Sequence, residues 1–328
     1  MTHLSINRRH FTAAMGAAAV AAAVPQISLA QSDKPLQIIV GYPPGGSTDT
    51  FARLLSTPLQ GVLGRSVIVR NQPGAGGQIA ATALLREGAD GSAILAINQP
   101  DLNLAIARGN ARFKSSDFRV IMADLHEPRV FLVRNDSGIS NFVKFVEQAR
   151  ANPGKLSISV AGGTAQEVMA KWLIVKLKID VLVVNYKGGS EAIIALMSGD
   201  VTANLGDDFV RATMRSKTTA LFIGSAKKSP RWPEAETLQS QLKTLGVSMP
   251  SPDFLGRYGV YVVSAGFAQK NPKGYQELQQ AILKTRTGQV FTDYIKANNL
   301  SDLSLGLPGE QFESVFAGEM QEIERMSK

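Results

Sequence analysis

Cysteine is absent from the 328-residue chain, which excludes disulfide staples, thiolate nucleophiles and thiolate zinc sites. Histidine is nearly as scarce. Of the three, His3 and His10 fall in a leader segment that is expected to be removed. A Ser-His-acid hydrolase would have to be built on His126, and no G-x-S-x-G elbow accompanies it. There is no H-E-x-x-H pattern to seat a catalytic metal and no G-x-x-x-x-G-K-[ST] loop to hold nucleotide phosphates. Lys and Arg outnumber Asp and Glu, 35 to 27, but they are scattered, without the clustered basic side chains and exposed aromatics of a nucleic-acid footprint. Removing Arg8 and Arg9 with the leader lowers the formal charge from +8 to about +6, a mild field that favours anionic ligands. These absences leave little for catalysis, and no enzyme activity, cofactor or metal is expected.

What is present is a globular composition, 44% hydrophobic and 19% charged, in a chain long enough for two domains of ordinary size. The first thirty residues read as an address rather than as structure. Arg8 and Arg9 precede an alanine-rich apolar run from Ala13 to Val24, too short to span a bilayer core of ~30 Å. Ser28-Leu29-Ala30 supplies small residues for cleavage before Gln31. The paired arginines followed by Phe11 fit a twin-arginine signal, and an ordinary secretory signal remains the alternative. Either route places the mature protein outside the cytoplasm, in the periplasm. No later stretch approaches eighteen apolar residues.

Short apolar runs then alternate with helical periodicities. Strands are expected at Leu36 to Gly41, Ser66 to Asn71 and Ala93 to Ile97, separated by helices over Phe51 to Leu63 and Ile79 to Arg86. Pro58 should kink or shorten the first helix. This βαβαβ order signals a parallel sheet with crossover helices. After a polar stretch near Asn135 to Ser140 the pattern restarts: strand Leu156 to Val160, helix Thr164 to Leu177, strand Val181 to Val184, helix Ser190 to Ser198, then strands at Val201 to Leu205 and Ala220 to Gly224. A last strand at Tyr258 to Val263 precedes helices at Pro272 to Thr285, Gln289 to Asn298 and Gly309 to Met326. Two α/β units with a helical tail make a two-lobed molecule, with the ligand cleft at the carboxyl ends of the strands.

One local feature recurs. Gly45-Gly46-Ser47, Gly162-Gly163-Thr164 and Gly188-Gly189-Ser190 each join a strand to a helix, and Pro73-Gly74-Ala75-Gly76-Gly77 also precedes a helix. A helix start exposes unpaired N–H groups and a partial positive charge, and glycines let an anion approach them. The Ser or Thr either caps the helix or offers its hydroxyl to a ligand oxygen. Junctions of this kind in both lobes can hold a carboxylate from two sides with no arginine; each copy alone also reads as an ordinary turn. Asp49 reads as a first-turn acid that favours the helix dipole. Adjacent Asp207 and Asp208 diverge and cannot form an acid/base pair; Asp207 reads equally as an acceptor for a ligand hydroxyl or amine and as a solvated cap. Gly74-Ala75-Gly76-Gly77-Gln78-Ile79 begins like a dinucleotide fingerprint but has Ile79 where the third glycine belongs.

Several segments together resemble the solute receptors of tripartite tricarboxylate transporters, the Bug family. They are Tyr42-Pro43-Pro44-Gly45-Gly46-Ser47-Thr48-Asp49, Val67 to Gly77 with its N-Q-P-G-A-G-G core, Asn185-Tyr186-Lys187-Gly188-Gly189 and Ser225 to Pro230. The resemblance implies a type II periplasmic-binding fold, each lobe a mixed, mostly parallel sheet flanked by helices. Lobe one is then 31–132 plus 256–328 and lobe two 133–255, with 1–30 the signal. It also implies a small aliphatic or aromatic carboxylate held by backbone amides and hydroxyls between the lobes, and membrane permease subunits as partners of a monomeric receptor that binds no nucleic acid. The implied ligand positions are Tyr42, Gly45, Gly46, Ser47 and Thr48, with Gly74, Ala75 and Gly76 nearby, and Ala161, Gly162, Gly163 and Thr164 opposite, with Tyr186 and Asp207 carried over more loosely. The chain departs from the family pattern at Ala165-Gln166-Glu167, at Glu234-Ala235-Glu236-Thr237 and at Gln99-Pro100-Asp101, which makes Asn98, Gln99 and Asp101 candidates to face the cleft and to favour a ligand with an amine or hydroxyl. A ligand sensor for a membrane kinase and, more remotely, an exported enzyme are the rival readings.

Overall fold

The computed structural model describes residues 34–109, 111–249 and 256–313; the leader and all but the first residues of the helix expected at Gly309 to Met326 lie outside the described residues. The chain begins β1 (Leu36–Val40), α1 (Ser47–Leu63), β2 (Val67–Asn71), α2 (Gln78–Glu87), β3 (Ala93–Gln99), α3 (Asp101–Ala107) and β4 (Phe118–Glu127). After Pro128 it continues β5 (Arg129–Arg134), α4 (Phe142–Ala151), β6 (Ser157–Ala161), α5 (Ala165–Leu177), β7 (Leu182–Tyr186), α6 (Gly189–Ser198), β8 (Ala203–Asp207), α7 (Asp208–Arg211), β9 (Thr218–Gly224) and α8 (Leu238–Thr244). It closes with β10 (Arg257–Ser264), α9 (Ala265–Lys270), α10 (Pro272–Arg286), α11 (Gln289–Ala297) and β11 (Ser304–Pro308).

The strands form two sheets, ordered β11-β4-β10-β3-β1-β2 and β7-β6-β8-β5-β9. Each sheet follows one plan. Three neighbours run parallel, β2-β1-β3 or β7-β6-β8. Beside them lies one antiparallel strand that has crossed from the other sheet, β10 or β5, and then a strand antiparallel to that one, β4 or β9. Most strands in each sheet therefore point one way, the mixed, mostly parallel arrangement of a two-lobed type II binding protein.

The pleat explains why apolar runs rather than alternating patterns mark these strands: both faces of each sheet are covered. Leu36, Ile38 and Val40 of β1 enter one core with Phe51, Leu55 and Leu59 of α1, while Ile39 between them enters the opposite core with Leu84 of α2. In β5, Phe131 and Val133 face Phe142 and Phe145 of α4, and Val130 and Leu132 face Leu196 of α6 and Trp232. Each such fully buried side chain contributes about 1.5–3 kcal/mol.

Two features differ from the sequence reading. Pro58 lies inside α1 and neither ends nor shortens it. Phe51, Leu55 and Leu59 are buried on either side of it, and that packed face holds the helix across the one hydrogen bond the proline removes. The second is the set of elements that the periodicity did not announce, α3, β4, β5 and β11 among them. The loops that follow β1, β3, β6, β7 and β8 all leave from carboxyl ends of parallel strands, which gathers the junctions described next.

Candidate functional site

The three Gly-Gly-hydroxyl junctions share a device built from their own sequence. The N–H of Gly45 donates to Asp49, that of Gly163 to Glu167, and that of Lys187 to Glu191, in each case an acid four residues on in the first helical turn. The acid settles one orphan donor and complements the helix dipole. Asp49 is further tied by Asn71 Nδ2 at 2.8 Å and Arg53 Nε at 3.1 Å. Burial pushes its pKa up, but hydrogen bonds from Arg53, Gly45 and Asn71 outweigh that and hold it below the ordinary value.

The hydroxyls are also spoken for within the protein. Thr164 caps α5, accepting from Gln166 N at 3.2 Å while donating to the Ala161 carbonyl at 2.7 Å. Ser47 donates to Glu127 at 3.3 Å, and Thr48 to Asn98 Oδ1 at 2.9 Å.

The junctions of the two sheets meet. Gly76 and Gly163 both have positive φ, +63° and +76°, and their backbones touch: a Cβ on Gly76 would stand 2.4 Å from the Gly163 carbonyl oxygen. A Cβ on Gly188 would stand 2.5 Å from the Pro43 ring, and Ser190 Oγ donates to the Pro44 carbonyl at 3.2 Å. Behind this rim lies a small cavity of about 30 Å³. Tyr42, Gly46, Ser47, Thr48, Asn98 and Asp101 line it from one side; Ala161, Thr164, Gln166, Gly189, Ser190, Asp207 and Arg211 line it from the other.

A layer of buried charge backs the cavity. Glu127, the last residue of β4, is paired with Arg257, the first of β10, at 2.6 Å, and accepts Phe209 N of α7 at 2.7 Å. Arg129, the first residue of β5, is paired with Asp207, the last of β8. Arg257 also donates to Asn98 Oδ1 at 2.6 Å and Thr48 Oγ1 at 3.2 Å. Burial raises the pKa of Glu127 against the pull of Arg257. Burial also pushes Asp207 up, but Arg129, Arg257 and Arg211 together hold it below the ordinary carboxylate value.

Asp101, at the start of α3, reaches across the gap: its Oδ2 accepts Tyr42 Oη at 2.8 Å and its Oδ1 accepts Ala165 N, at the start of α5, at 2.8 Å. Burial raises its pKa, with Arg129, the Ala165 amide and the Tyr42 hydroxyl pulling the other way.

Of the positions singled out from sequence, Tyr42, Gly46, Ser47, Thr48, Asn98, Ala161, Thr164 and Asp207 line the cavity. Gly45 faces Ser190, and Gly74, Ala75, Gly76, Gly162 and Gly163 form or flank the rim. The Tyr186 side chain instead packs against the apolar cluster of Val130 and Leu132, and only its carbonyl takes part, accepting Gly162 N at 2.9 Å. Asp207 and Asp208 diverge as expected, the first to Arg129 and the second to Arg231. Sequence reasoning missed Arg129, Arg211, Arg257, Glu127 and Gln166. Its expectation of a site that dispenses with arginine meets three buried guanidiniums at or behind the cavity. His126 stacks on Tyr258, ring centroids 4.3 Å apart. Among the described residues no three His, Cys, Asp or Glu side chains gather as a metal site, and no helix is long and apolar enough to cross a membrane.

The sequence model of the tripartite tricarboxylate transporter family receptor matches residues 51–301. The chain belongs to this receptor family. A UPF0065 protein from the gbd 5' region of Cupriavidus necator is 30% identical over 289 residues, 85% of each chain. Among solved structures, the periplasmic binding protein BugD superposes with a TM-score of 0.77 at 21% identity, over 89% of this chain and 96% of that one. MatC from Rhodopseudomonas palustris, solved with bound malate, gives 0.77 at 19% identity, over 90% and 99%. At such identities the two structures speak for the family fold; the chemistry of the cleft has to be argued from this chain's own residues.

Proposed function

We propose that the protein is a periplasmic receptor, exported with cleavage near Ala30, that closes two lobes around a small carboxylate and hands it as a monomer to the membrane permease subunits of a tripartite tricarboxylate-type transporter. Lobe one comprises the N-terminal third plus the C-terminal segment, and lobe two the middle, with the crossing at Pro128 rather than at 132/133. The chain works by binding and closure, not turnover. Tyr42, Ser47, Thr48 and Asn98 on one wall and Ala161, Thr164 and Asp207 on the other are the ligand-facing positions.

One observation carries this reading: glycine-rich helix starts from both sheets converge on a single cavity, with Gly76 and Gly163 in backbone contact at its rim. Side chains of both walls enclose this cavity, so on this reading the walls part for entry and re-form around the solute. The solute selects the closed state through contacts it makes to both walls only there. The similarly folded MatC, solved with bound malate, supports a carboxylate.

A thermal-shift screen over aliphatic and aromatic carboxylates tests the proposal. A ligand at a hundred times its dissociation constant adds about 2.7 kcal/mol of stability. Calorimetry with the best hit should give at least one micromolar-class acid. A mature protein whose melting none of these acids moves would end the carboxylate reading.

A further inference from the structure

The charges at the cavity can be sorted by whether the protein itself matches them. Asp207 is matched by Arg129, and Arg257, just behind, by Glu127. Two others have no opposite partner within ion-pair distance among the described residues. Arg211 spends its guanidinium on neutral oxygens: Asn204 Oδ1 at 2.6 Å, the Asp207 carbonyl at 3.3 Å and the Gly189 carbonyl at 3.4 Å. Asp101 spends its carboxylate on neutral donors, the Tyr42 hydroxyl and the Ala165 amide. Both side chains line the same cavity, and each residue is 1% exposed.

The two come from opposite walls. Asp101 is anchored to lobe one by Tyr42, whose hydroxyl also accepts Asn98 N at 3.2 Å. Arg211 lies across Gly206, where a Cβ would stand 1.7 Å from the guanidinium carbon, so the glycine is what makes room for it. Burial works against both charges, raising the pKa of Asp101 and lowering that of Arg211. A solute with one negative and one positive group offsets both at once and bridges the lobes in doing so.

We propose that Asp101 and Arg211 make this cleft a receptor for a zwitterion: a small acid carrying an ammonium group, its carboxylate directed to Arg211 and the junction amides, its ammonium to Asp101. The assignment rests on the carboxylate-receptor reading and narrows it. A solute with a second carboxylate in place of the ammonium would set like charge against Asp101 in a site that excludes water.

The test compares the common amino acids with the same acids bearing hydroxyl or hydrogen in place of the ammonium group, by thermal shift and then calorimetry on the mature protein near neutral pH. The best amino acid should bind at least about tenfold more tightly than its deaminated counterpart. Asp101→Asn should shrink that preference to about threefold or less, and Arg211→Gln should weaken both probes alike. Deaminated acids or dicarboxylates that match the amino acids on the wild-type protein overturn the zwitterion assignment while leaving the carboxylate reading intact. Retention of the tenfold preference in Asp101→Asn overturns the role of Asp101. Should that variant not fold, the wild-type ratio alone decides. If no carboxylate of either kind binds, the receptor reading falls, and this assignment with it.

Discussion

The rim of the cleft and the crossing behind it are held together by opposite means. At the rim the contacts are neutral: backbone on backbone at Gly76 and Gly163, a proline ring on Gly188, one hydroxyl on one carbonyl. At the crossing they are ionic and buried. Glu127 takes Arg257, Phe209 N and Ser47. Asp208, whose N–H donates to the Pro128 carbonyl, takes Arg231 at 2.6 Å, and Arg231 continues to Asp302 at 2.8 Å. Neutral contacts can be exchanged for water with little net change in free energy, whereas a buried charge that loses its partner is left in a medium that cannot solvate it. The rim is therefore suited to repeated opening, and the crossing to keeping one geometry while it happens.

The sharpest way to break this contrast is at the crossing. Arg257→Ala strands Glu127 and removes the bonds to Asn98 and Thr48, so urea denaturation should report a loss of about 3–5 kcal/mol. A loss under about 1 kcal/mol would mean that the buried layer is not what holds the crossing. At the rim, Gly76→Ala places a methyl against the Gly163 carbonyl, and ligand affinity should drop by about tenfold or more. Its folding stability should fall by only about 1–2 kcal/mol, the strain of an L-residue at positive φ. Unchanged affinity would show that the closed contact is not needed for binding.

Thr164→Ala removes a helix cap from the far wall, and melting should register about 1 kcal/mol. The smallest effect concerns pH. Burial holds the folded pKa of Asp101 above its unfolded value. The stability it contributes is thus fully present below the unfolded value, near pH 4, and is lost as pH rises through the folded one. Asp101→Asn lacks that proton, and Glu127 and Asp124 are common to both proteins. The stability of wild type minus variant should therefore decline from about pH 4 toward neutrality; a flat difference, measured by denaturation at several pH values, would contradict the burial argument.

Much of the frame was legible because it is local. Apolar runs such as Leu36 to Val40 and the glycine-hydroxyl turns announce strand, turn and helix within a dozen residues. The strands that exchange between sheets were not legible: β4 and β5 flank Pro128 without a break in composition, and what separates them is their pairing with β10 and β8, far along the chain. Pro58 does not shorten its helix for a related reason, since its cost is offset by packing that sequence does not display. The hydroxyls that line the cavity were singled out from sequence, yet their pairings were not, because Ser47 meets Glu127 and Thr48 meets Asn98 only after folding. The arginines escaped altogether. Nothing near Arg211 announces a role except Gly206, five residues earlier, whose missing side chain is legible as a vacancy only once the guanidinium is seen to fill it.

The first-turn acids at the three junctions carry a consequence for how such a receptor changes its diet. Asp49, Glu167 and Glu191 each brace their own turn from within, so these turns draw their bracing from the chain itself and need no solute for it. On the proposal above, solute choice would then rest with side chains beside these turns, such as Asp101, rather than with the turns themselves.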